Sequence, residues 1–141
     1  MIRLSLLLLL IPSVCQAKSF QTEFMCLAKN IYHEAGIESS KGKAAVAQVT
    51  LNRVANPAYP KTVCGVVHQK NQFSWVGTKV KIDYKSKAWK ESTRIAYKAL
   101  MKQTRVLSKN VLFYHAVYVH PAWKYQKVAV IGNHIFYKEK T

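Results

Sequence analysis

The pattern of apolar and polar positions in the first half of the chain predicts amphipathic helices. The first runs from Glu23 to Ala35, with Thr22 as its N-terminal cap and Gly36 available at its C-terminal end. Its apolar residues follow helical spacing and form one stripe: Phe24, Leu27, Ala28, Ile31 and Ala35. Because such a stripe has to be buried, we expect this helix to pack against the rest of the domain.

Three further helical segments follow in the sequence. A helix over residues 41–54, capped by Ser39 or Ser40, is apolar nearly all round and therefore belongs in the interior. A short helical turn is predicted over residues 62–69, and another amphipathic helix runs from Ser86 to about Gln103.

From Val111 onward, aromatic and β-branched residues dominate, which is typical of strands. The segment VLFYHAVYV predicts one strand, and KVAVIGNHIFYK predicts two short strands joined at Gly132-Asn133. The sequence shows no internal repeat, low-complexity tract or linker. We therefore predict one α+β domain, mainly helical, with a small C-terminal β-hairpin region.

The N-terminal residues have the order of a secretory signal, with a basic start, an apolar run over residues 4–11 and small residues up to Ala17. The apolar run is shorter than the roughly 20 residues that span a bilayer. We expect export to the periplasm or the medium with cleavage after Ala17, which leaves residues 18–141 as the mature domain. An uncleaved membrane anchor and lipidation at Cys15 are the alternatives.

The formal net charge is +16, from 22 lysines and arginines against 6 acidic residues. Nucleic acid, an anionic surface or simple solubility can each explain such a charge. The lysines are scattered along the chain and no nucleic-acid-binding motif accompanies them, so we expect no nucleic-acid partner. Export favours attraction to an anionic cell wall or membrane surface, and we expect a monomer.

Two cysteines, Cys26 and Cys64, follow the predicted cleavage site. Oxidising conditions outside the cytoplasm favour a disulfide between them. Two buried free thiols are the alternative, since pairing also requires suitable geometry.

Two of the acidic residues, Glu34 and Glu38, lie four positions apart near the end of the first predicted helix. Glu34 falls along the edge of the apolar stripe, where partial desolvation would favour the protonated carboxyl group. A glycosidase needs such a proton donor, although a solvated glutamate near a helix end is the ordinary alternative. Glu38 is either a catalytic partner or a residue that holds a backbone or positioning contact.

The loop Gln72-Phe73-Ser74-Trp75 combines hydrogen-bonding groups with aromatic faces, a composition suited to an N-acetyl sugar. An aromatic plug that closes the core is the alternative. A second polar and aromatic cluster comprises Tyr114, His115 and Trp123.

The five histidines raise the question of metal catalysis, because zinc peptidases and amidases also cut cell walls. His33-Glu34 begins like a zinc-binding helix motif, but the second histidine would fall at position 37, which is Ile37. We therefore expect no metal and no other cofactor.

Six segments occur in an order that classifies the chain: Tyr32-His33-Glu34-Ala35 with Glu38, AVAQVTLNRV, YPKTVCGVVHQ, NQFSW, FYHAVYVHPAW and IGNHIFY. Together they resemble the cell wall hydrolase family of the spore cortex-lytic enzymes (SleB type). The resemblance extends from about Phe24 to Lys138. One departure is that Gly36-Ile37 stands where the family commonly has arginine and glycine, so a substrate contact made by that arginine is missing here.

The resemblance implies a lysozyme-like domain, related to lytic transglycosylases, that cuts peptidoglycan between N-acetylmuramic acid and N-acetylglucosamine. By its place in the motif, Glu34 is the catalytic acid and base, and Glu38 matches the second glutamate. With one essential carboxyl group, the muramic acid itself closes a 1,6-anhydro ring. A hydrolytic muramidase, a cell wall amidase or peptidase, and a non-enzymatic cationic wall-binding protein are the alternatives. The expected substrate-binding residues are Tyr32, Gln72, Phe73, Ser74, Trp75, Tyr114, His115 and Trp123.

Overall fold

Four helices precede a three-stranded antiparallel sheet in the computed structural model, which describes residues 14–140. Most of the predicted secretory signal, residues 1–13, lies outside the described residues. The elements are α1 (Val14–Ala35), α2 (Ser40–Ala55), α3 (Val63–Val67), α4 (Lys87–Leu100), β1 (Val111–Ala116), β2 (Gln126–Ile131) and β3 (His134–Lys138). Within residues 14–140, no helix has the length and apolar character needed to cross a membrane.

The first helix begins earlier than predicted, at Val14 rather than after a cap at Thr22. The segment between these two residues contains no glycine or proline, so nothing interrupts the helix there. Glu23 therefore does not lie in the first turn of α1. Its carboxylate instead accepts hydrogen bonds from the backbone N–H groups of Val63 and Cys64, where α3 begins.

Serine side chains cap the starts of two other helices, and for α2 this confirms the predicted cap at Ser39. The Ser39 hydroxyl accepts a hydrogen bond from Gly42 N at 3.2 Å, and the Ser86 hydroxyl accepts one from Trp89 N at 3.1 Å. Helix α4 ends at Leu100, before the predicted Gln103, because Lys102 adopts a left-handed backbone conformation with φ of 56°.

Helix α2 lies between two buried clusters, which explains why it is apolar nearly all round. On one side Ala44 and Ala47 join a cluster built from α1, α3 and α4, and on the other Val46 and Val49 pack with the sheet residue Phe136. The helix therefore connects the helical layer to the sheet.

The sheet order is β1-β3-β2, with both pairs antiparallel. Strands β2 and β3 form the predicted hairpin, and its turn contains Gly132 with φ of 57°. The prediction of a mainly helical α+β domain with a small C-terminal β region is confirmed.

The predicted disulfide between Cys26 and Cys64 is present and links α1 to α3. The two cysteines are separated by 38 residues along the chain. A chain-entropy estimate for a loop of this length gives about 3 to 4 kcal/mol of stabilisation.

Candidate active site

A cleft of about 1000 Å³ lies between the C-terminal end of α1, the loop over residues 68–76 and the sheet. Helix α1 contributes Glu34, and α2 contributes Arg53. Of the expected substrate-binding residues, those that line it are Gln72, Phe73, Ser74, Tyr114, His115 and Trp123. The chain thus brings together two segments that are distant in sequence, and they form two walls of one cleft.

The Glu34 carboxyl group is the central acidic group of the cleft. It is partly buried, and its Oε2 accepts a hydrogen bond from the Tyr114 hydroxyl at 3.2 Å. Burial raises the pKa of Glu34 above its usual value, while the Tyr114 hydrogen bond and the Arg53 cation act in the opposite direction. A carboxyl group in this setting holds its proton to a higher pH than an exposed glutamate, so it can donate that proton.

Tyr114 remains protonated beside this carboxyl group. Burial of the hydroxyl, together with the nearby negative charge of Glu34, raises the pKa of Tyr114 well above its usual value. The hydroxyl is therefore available as a donor whether Glu34 is protonated or ionised. The Tyr114 hydrogen bond is strongest to the ionised carboxylate, so it would stabilise the charge that Glu34 carries after giving up a proton.

Arg53 is a cleft residue that the sequence did not single out. Its Nε donates to the Leu112 carbonyl at 2.8 Å and its Nη1 donates to Gln72 Oε1 at 2.9 Å. The guanidinium carbon also lies 5.8 Å from the Phe73 ring centroid. One buried side chain thus joins α2, β1 and the loop over residues 68–76, and these contacts between distant elements have no local signal in the sequence.

His134, at the start of β3, is a second cleft residue that the sequence did not single out. It is buried, lines the cleft and packs edge to face on Tyr114 with ring centroids 5.2 Å apart. Burial lowers the pKa of His134, although the Glu38 charge acts against this. Its Nδ1 has no hydrogen-bond partner in the described part of the chain.

His115 is a hydrogen-bonded cleft residue. Because the Ala116 carbonyl can only accept, His115 Nδ1 donates to it, at 2.8 Å, and Nε2 lies 2.8 Å from the Tyr137 hydroxyl. The ring of His115 meets Trp123 with centroids 5.4 Å apart. Trp123 is 43% exposed, so its indole presents an aromatic face at the rim of the cleft.

Phe73 both lines the cleft and plugs the core, since it is only 6% exposed. The neighbouring side chains of Gln72 and Ser74 are exposed to the cleft. The loop therefore does both things that its composition allowed: Phe73 closes the core, and Gln72 and Ser74 present hydrogen-bonding groups to the cleft.

Two of the expected substrate-binding residues do not line this cleft. The Tyr32 hydroxyl accepts a hydrogen bond from Asp83 N at 3.2 Å, and its ring packs on Trp89. The Trp75 indole N–H donates to Asn30 Oδ1 at 3.1 Å, while its ring stacks on His33 with centroids 4.4 Å apart. Both rings complete the packing of the helical layer, and Trp75 also borders a neighbouring recess.

Glu38 does not line the cleft and is only 9% exposed. Its Oε2 accepts from Asn133 N at 3.1 Å and its Oε1 accepts from Asn133 Nδ2 at 2.9 Å, so the carboxylate binds the β2–β3 turn. A Cβ atom at Gly132 would overlap Glu38 Oε2, which explains the glycine there. This is the positioning contact, one of the two roles that the sequence left open. Ile37, at the position of the departure from the family motif, is 92% exposed.

In residues 14–140, no group of three or more histidine, cysteine, aspartate or glutamate side chains is arranged to hold a metal ion. The cleft contains a partly buried carboxyl group, the tyrosine that donates to it and a buried arginine, together with histidine side chains.

Comparison with known proteins defines the class. The family model described as Cell Wall Hydrolase matches residues 37–137, and the chain belongs to this family. The matched range begins just after Glu34. The resemblance inferred from the motifs is confirmed.

Among individual relatives, the chain is 29% identical over 133 residues to a spore cortex-lytic enzyme of Oceanobacillus iheyensis. That match covers 90% of this chain and 46% of the relative, so the chain spans about half the length of that protein. A spore cortex-lytic enzyme of Bacillus cereus is 38% identical over 56 residues, which cover 40% of this chain and 22% of the relative.

Two solved structures are similar in fold. The catalytic domain of the Bacillus cereus SleB protein superposes with a TM-score of 0.69 at 26% identity, covering 84% of this chain and 91% of that one. The catalytic domain of the germination-specific lytic transglycosylase SleB from Bacillus anthracis gives a TM-score of 0.68 at 26% identity, covering 84% and 95%. The predicted lysozyme-like fold class is confirmed.

Proposed function

We propose that this protein cleaves the glycan strand of peptidoglycan between N-acetylmuramic acid and N-acetylglucosamine, as a lytic transglycosylase with Glu34 as general acid and base. The observation that carries the proposal is the Glu34 carboxyl group itself, partly buried, with a raised pKa, in a cleft large enough for several sugar rings. Membership of the Cell Wall Hydrolase family supports the same substrate.

The first step follows from the protonated state of Glu34. The carboxyl group gives its proton to the oxygen that links the two sugars, and the bond between this oxygen and C1 of the muramic acid breaks. The electron pair of that bond leaves with the oxygen, so positive charge develops at C1. The resulting Glu34 carboxylate is stabilised by the Tyr114 hydroxyl, which lies 3.2 Å from Oε2.

In the second step the carboxylate acts as base. It takes the proton from the C6 hydroxyl of the same muramic acid while this oxygen bonds to C1, so a 1,6-anhydro ring forms and Glu34 regains its proton. No water is consumed, and the enzyme returns to its starting state.

The number of acidic side chains in the cleft favours the 1,6-anhydro route over hydrolysis. Among the described residues that line the cleft, Glu34 is the one acidic side chain, since Glu38 is held at the β2–β3 turn. A hydrolytic enzyme typically uses a second carboxylate to activate water or to attack C1. An internal hydroxyl nucleophile needs no such partner. A hydrolytic muramidase, in which water is activated by Glu34, is the second candidate.

Substrate binding is proposed for the two walls of the cleft. Trp123 offers an exposed aromatic face to the C–H face of a sugar ring, and Gln72 and Ser74 offer amide and hydroxyl groups to an acetamide. Arg53 acts through Gln72 as a positioning residue.

The variant Glu34→Gln tests the assignment, because it keeps the size of the side chain and removes the transferable proton. We expect a loss of cleavage of about 100-fold to 10,000-fold with unchanged fold and wall binding. The exposed acid Glu139 provides a matched control, Glu139→Gln, which should keep full activity. Near-full activity of Glu34→Gln would overturn the proposal.

The assay is muropeptide analysis of purified sacculi after digestion. Anhydro-muropeptides indicate the transglycosylase, reducing-end muramic acid indicates the muramidase, and free stem peptides indicate an amidase. Binding without any product would leave only a cationic wall-binding protein.

We also propose export with cleavage after Ala17, and attraction of the mature domain to anionic wall polymers; because cleavage removes Arg3, its net charge is 21 minus 6, or +15. N-terminal sequencing of the exported protein tests the first. For the second, wall binding should weaken as added salt shortens the Debye length below about 10 Å.

A further inference from the structure

A second recess of about 400 Å³ lies beside the cleft and is not used in the mechanism above. We call it the lysine recess; its principal lining residues are Lys29, His33, Trp75, Val80, Lys81 and Tyr84. His33 lines both the cleft and the recess, and it directly precedes Glu34 in the chain. A substrate bound in the cleft therefore passes next to the lysine recess.

The charge of the lysine recess is entirely positive at the described residues. Two lysines, Lys29 and Lys81, line it, and no aspartate or glutamate does. Within residues 14–140, neither lysine forms an ion pair with a carboxylate, since the two ion pairs found there both involve Glu91. Their ammonium groups are thus available to an anionic ligand.

His33 also lines the recess but adds no positive charge, because its ring is neutral at neutral pH. Burial and the nearby Lys29 charge both lower the pKa of His33. The ring of His33 instead stacks on Trp75 and forms part of the wall between the recess and the cleft.

The lysine recess also exposes apolar surface. Val80 is 62% exposed and Tyr84 is 58% exposed, next to the partly buried Trp75. Exposed apolar side chains grouped with unpaired cations are typical of a binding surface for a ligand that is both anionic and partly aliphatic. An uncharged sugar could accept hydrogen bonds from the two lysines but would not balance their charge.

We propose that the lysine recess binds the peptide stem of peptidoglycan through the carboxylates of that stem, while the glycan lies in the cleft. This inference rests on the proposed function. The stem is attached to the muramic acid, one of the two sugars at the bond that Glu34 cleaves, so it leaves the glycan close to this point. Its free carboxylates match Lys29 and Lys81, and its short aliphatic side chains match Val80 and Tyr84.

The test compares two substrates, glycan strands that bear stem peptides and the same strands after an amidase has removed the peptides. For Lys29→Ala/Lys81→Ala we expect kcat/KM on the peptide-bearing strands to fall about tenfold, the effect of losing charge-assisted contacts at a partly exposed site. On the peptide-free strands it should change less than about twofold. Thermal melting of the double variant checks that it folds.

A matched control, Lys109→Ala/Lys140→Ala, removes the same charge from lysines that line neither the cleft nor the recess. It should leave the ratio of the two rates unchanged. An equal fall on both substrates in Lys29→Ala/Lys81→Ala, or no fall on either, would overturn the inference.

Direct binding separates this inference from the proposed function. Calorimetry with the free stem peptide should give a dissociation constant about tenfold higher for the double lysine variant than for wild type. Equal constants, or no binding by wild type, would reject the lysine recess as a peptide site even if cleavage is confirmed. A wild type that binds the peptide but cleaves neither glycan would instead refute the proposed function.

Discussion

Replacement of Glu38 by alanine should destabilise the protein without removing its chemistry. The Glu38 carboxylate accepts two hydrogen bonds from Asn133 and is only 9% exposed. A hydrogen bond to a charged group contributes about 1.5 to 3 kcal/mol. Asn133 itself is exposed, and water partly replaces the lost partner, so we expect a total cost of about 2 to 4 kcal/mol.

This cost converts into a large shift of the melting temperature. For a domain of this size, each kcal/mol corresponds to about 3 to 4 °C, so Glu38→Ala should melt about 6 to 16 °C below wild type. The variant Asn133→Ala loses only one of the two hydrogen bonds and should lose about half as much. A double-mutant cycle between the two positions should give a coupling energy of about 1 to 2 kcal/mol.

The assay is thermal unfolding followed by circular dichroism, with the exposed Glu139→Ala as the control for removal of an acidic residue. Activity on sacculi is then measured at a temperature where every variant is folded. Glu38→Ala should stay within about tenfold of wild type, far above Glu34→Gln. A variant that melts like wild type but is as inactive as Glu34→Gln would show that Glu38 is catalytic and that our reasoning is wrong.

Three further predictions concern the tyrosine donor, the buried histidine and the disulfide. Tyr114→Phe removes the hydrogen bond that lowers the pKa of Glu34, so the alkaline limb of the pH–activity profile should move to higher pH; a downward shift would contradict the assignment. Because burial lowers the pKa of His134, stability should be complete above about pH 6.5, the unfolded value, and fall below it. Melting at pH 5 and 7.5 should show a smaller difference for His134→Gln than for wild type, and an unchanged difference would reject this cause. Finally, the unreduced protein should be two hydrogens lighter than the reduced form, and reduction should cost about 3 to 4 kcal/mol; two alkylatable thiols would contradict it.

Local signals in the sequence predicted most of the fold. The start of α2 follows from the serine cap at Ser39, α4 begins directly after Ser86, and the β2–β3 turn follows from Gly132-Asn133. The predicted start of α1 was wrong because the residues before Thr22 contain no helix breaker, so the helix extends back past this possible cap to Val14. Caps are local, whereas helix propagation depends on the residues before them.

The site was predictable only in part, for a related reason. Glu34 and the lining residues of the loop could be located from helical spacing and composition. Arg53 could not, because its partner Leu112 lies far along the chain and the contact exists only after α2 packs on β1. The same holds for Glu38, whose role is set by Asn133 across the domain. Sequence spacing indicates which groups are present, and tertiary contacts decide what each one does.

The desolvated environment of Glu34 also bears on how firmly the domain holds together. A carboxyl group with a pKa above its unfolded value favours folding most below about pH 4.5, and this contribution is lost as the pH rises through the folded value. Near neutrality the Glu34 carboxyl group therefore lowers the stability of the fold, and the disulfide between α1 and α3 counteracts this. Substitutions that raise the melting temperature and preserve the proposed catalysis should therefore lie at positions remote from this carboxyl group.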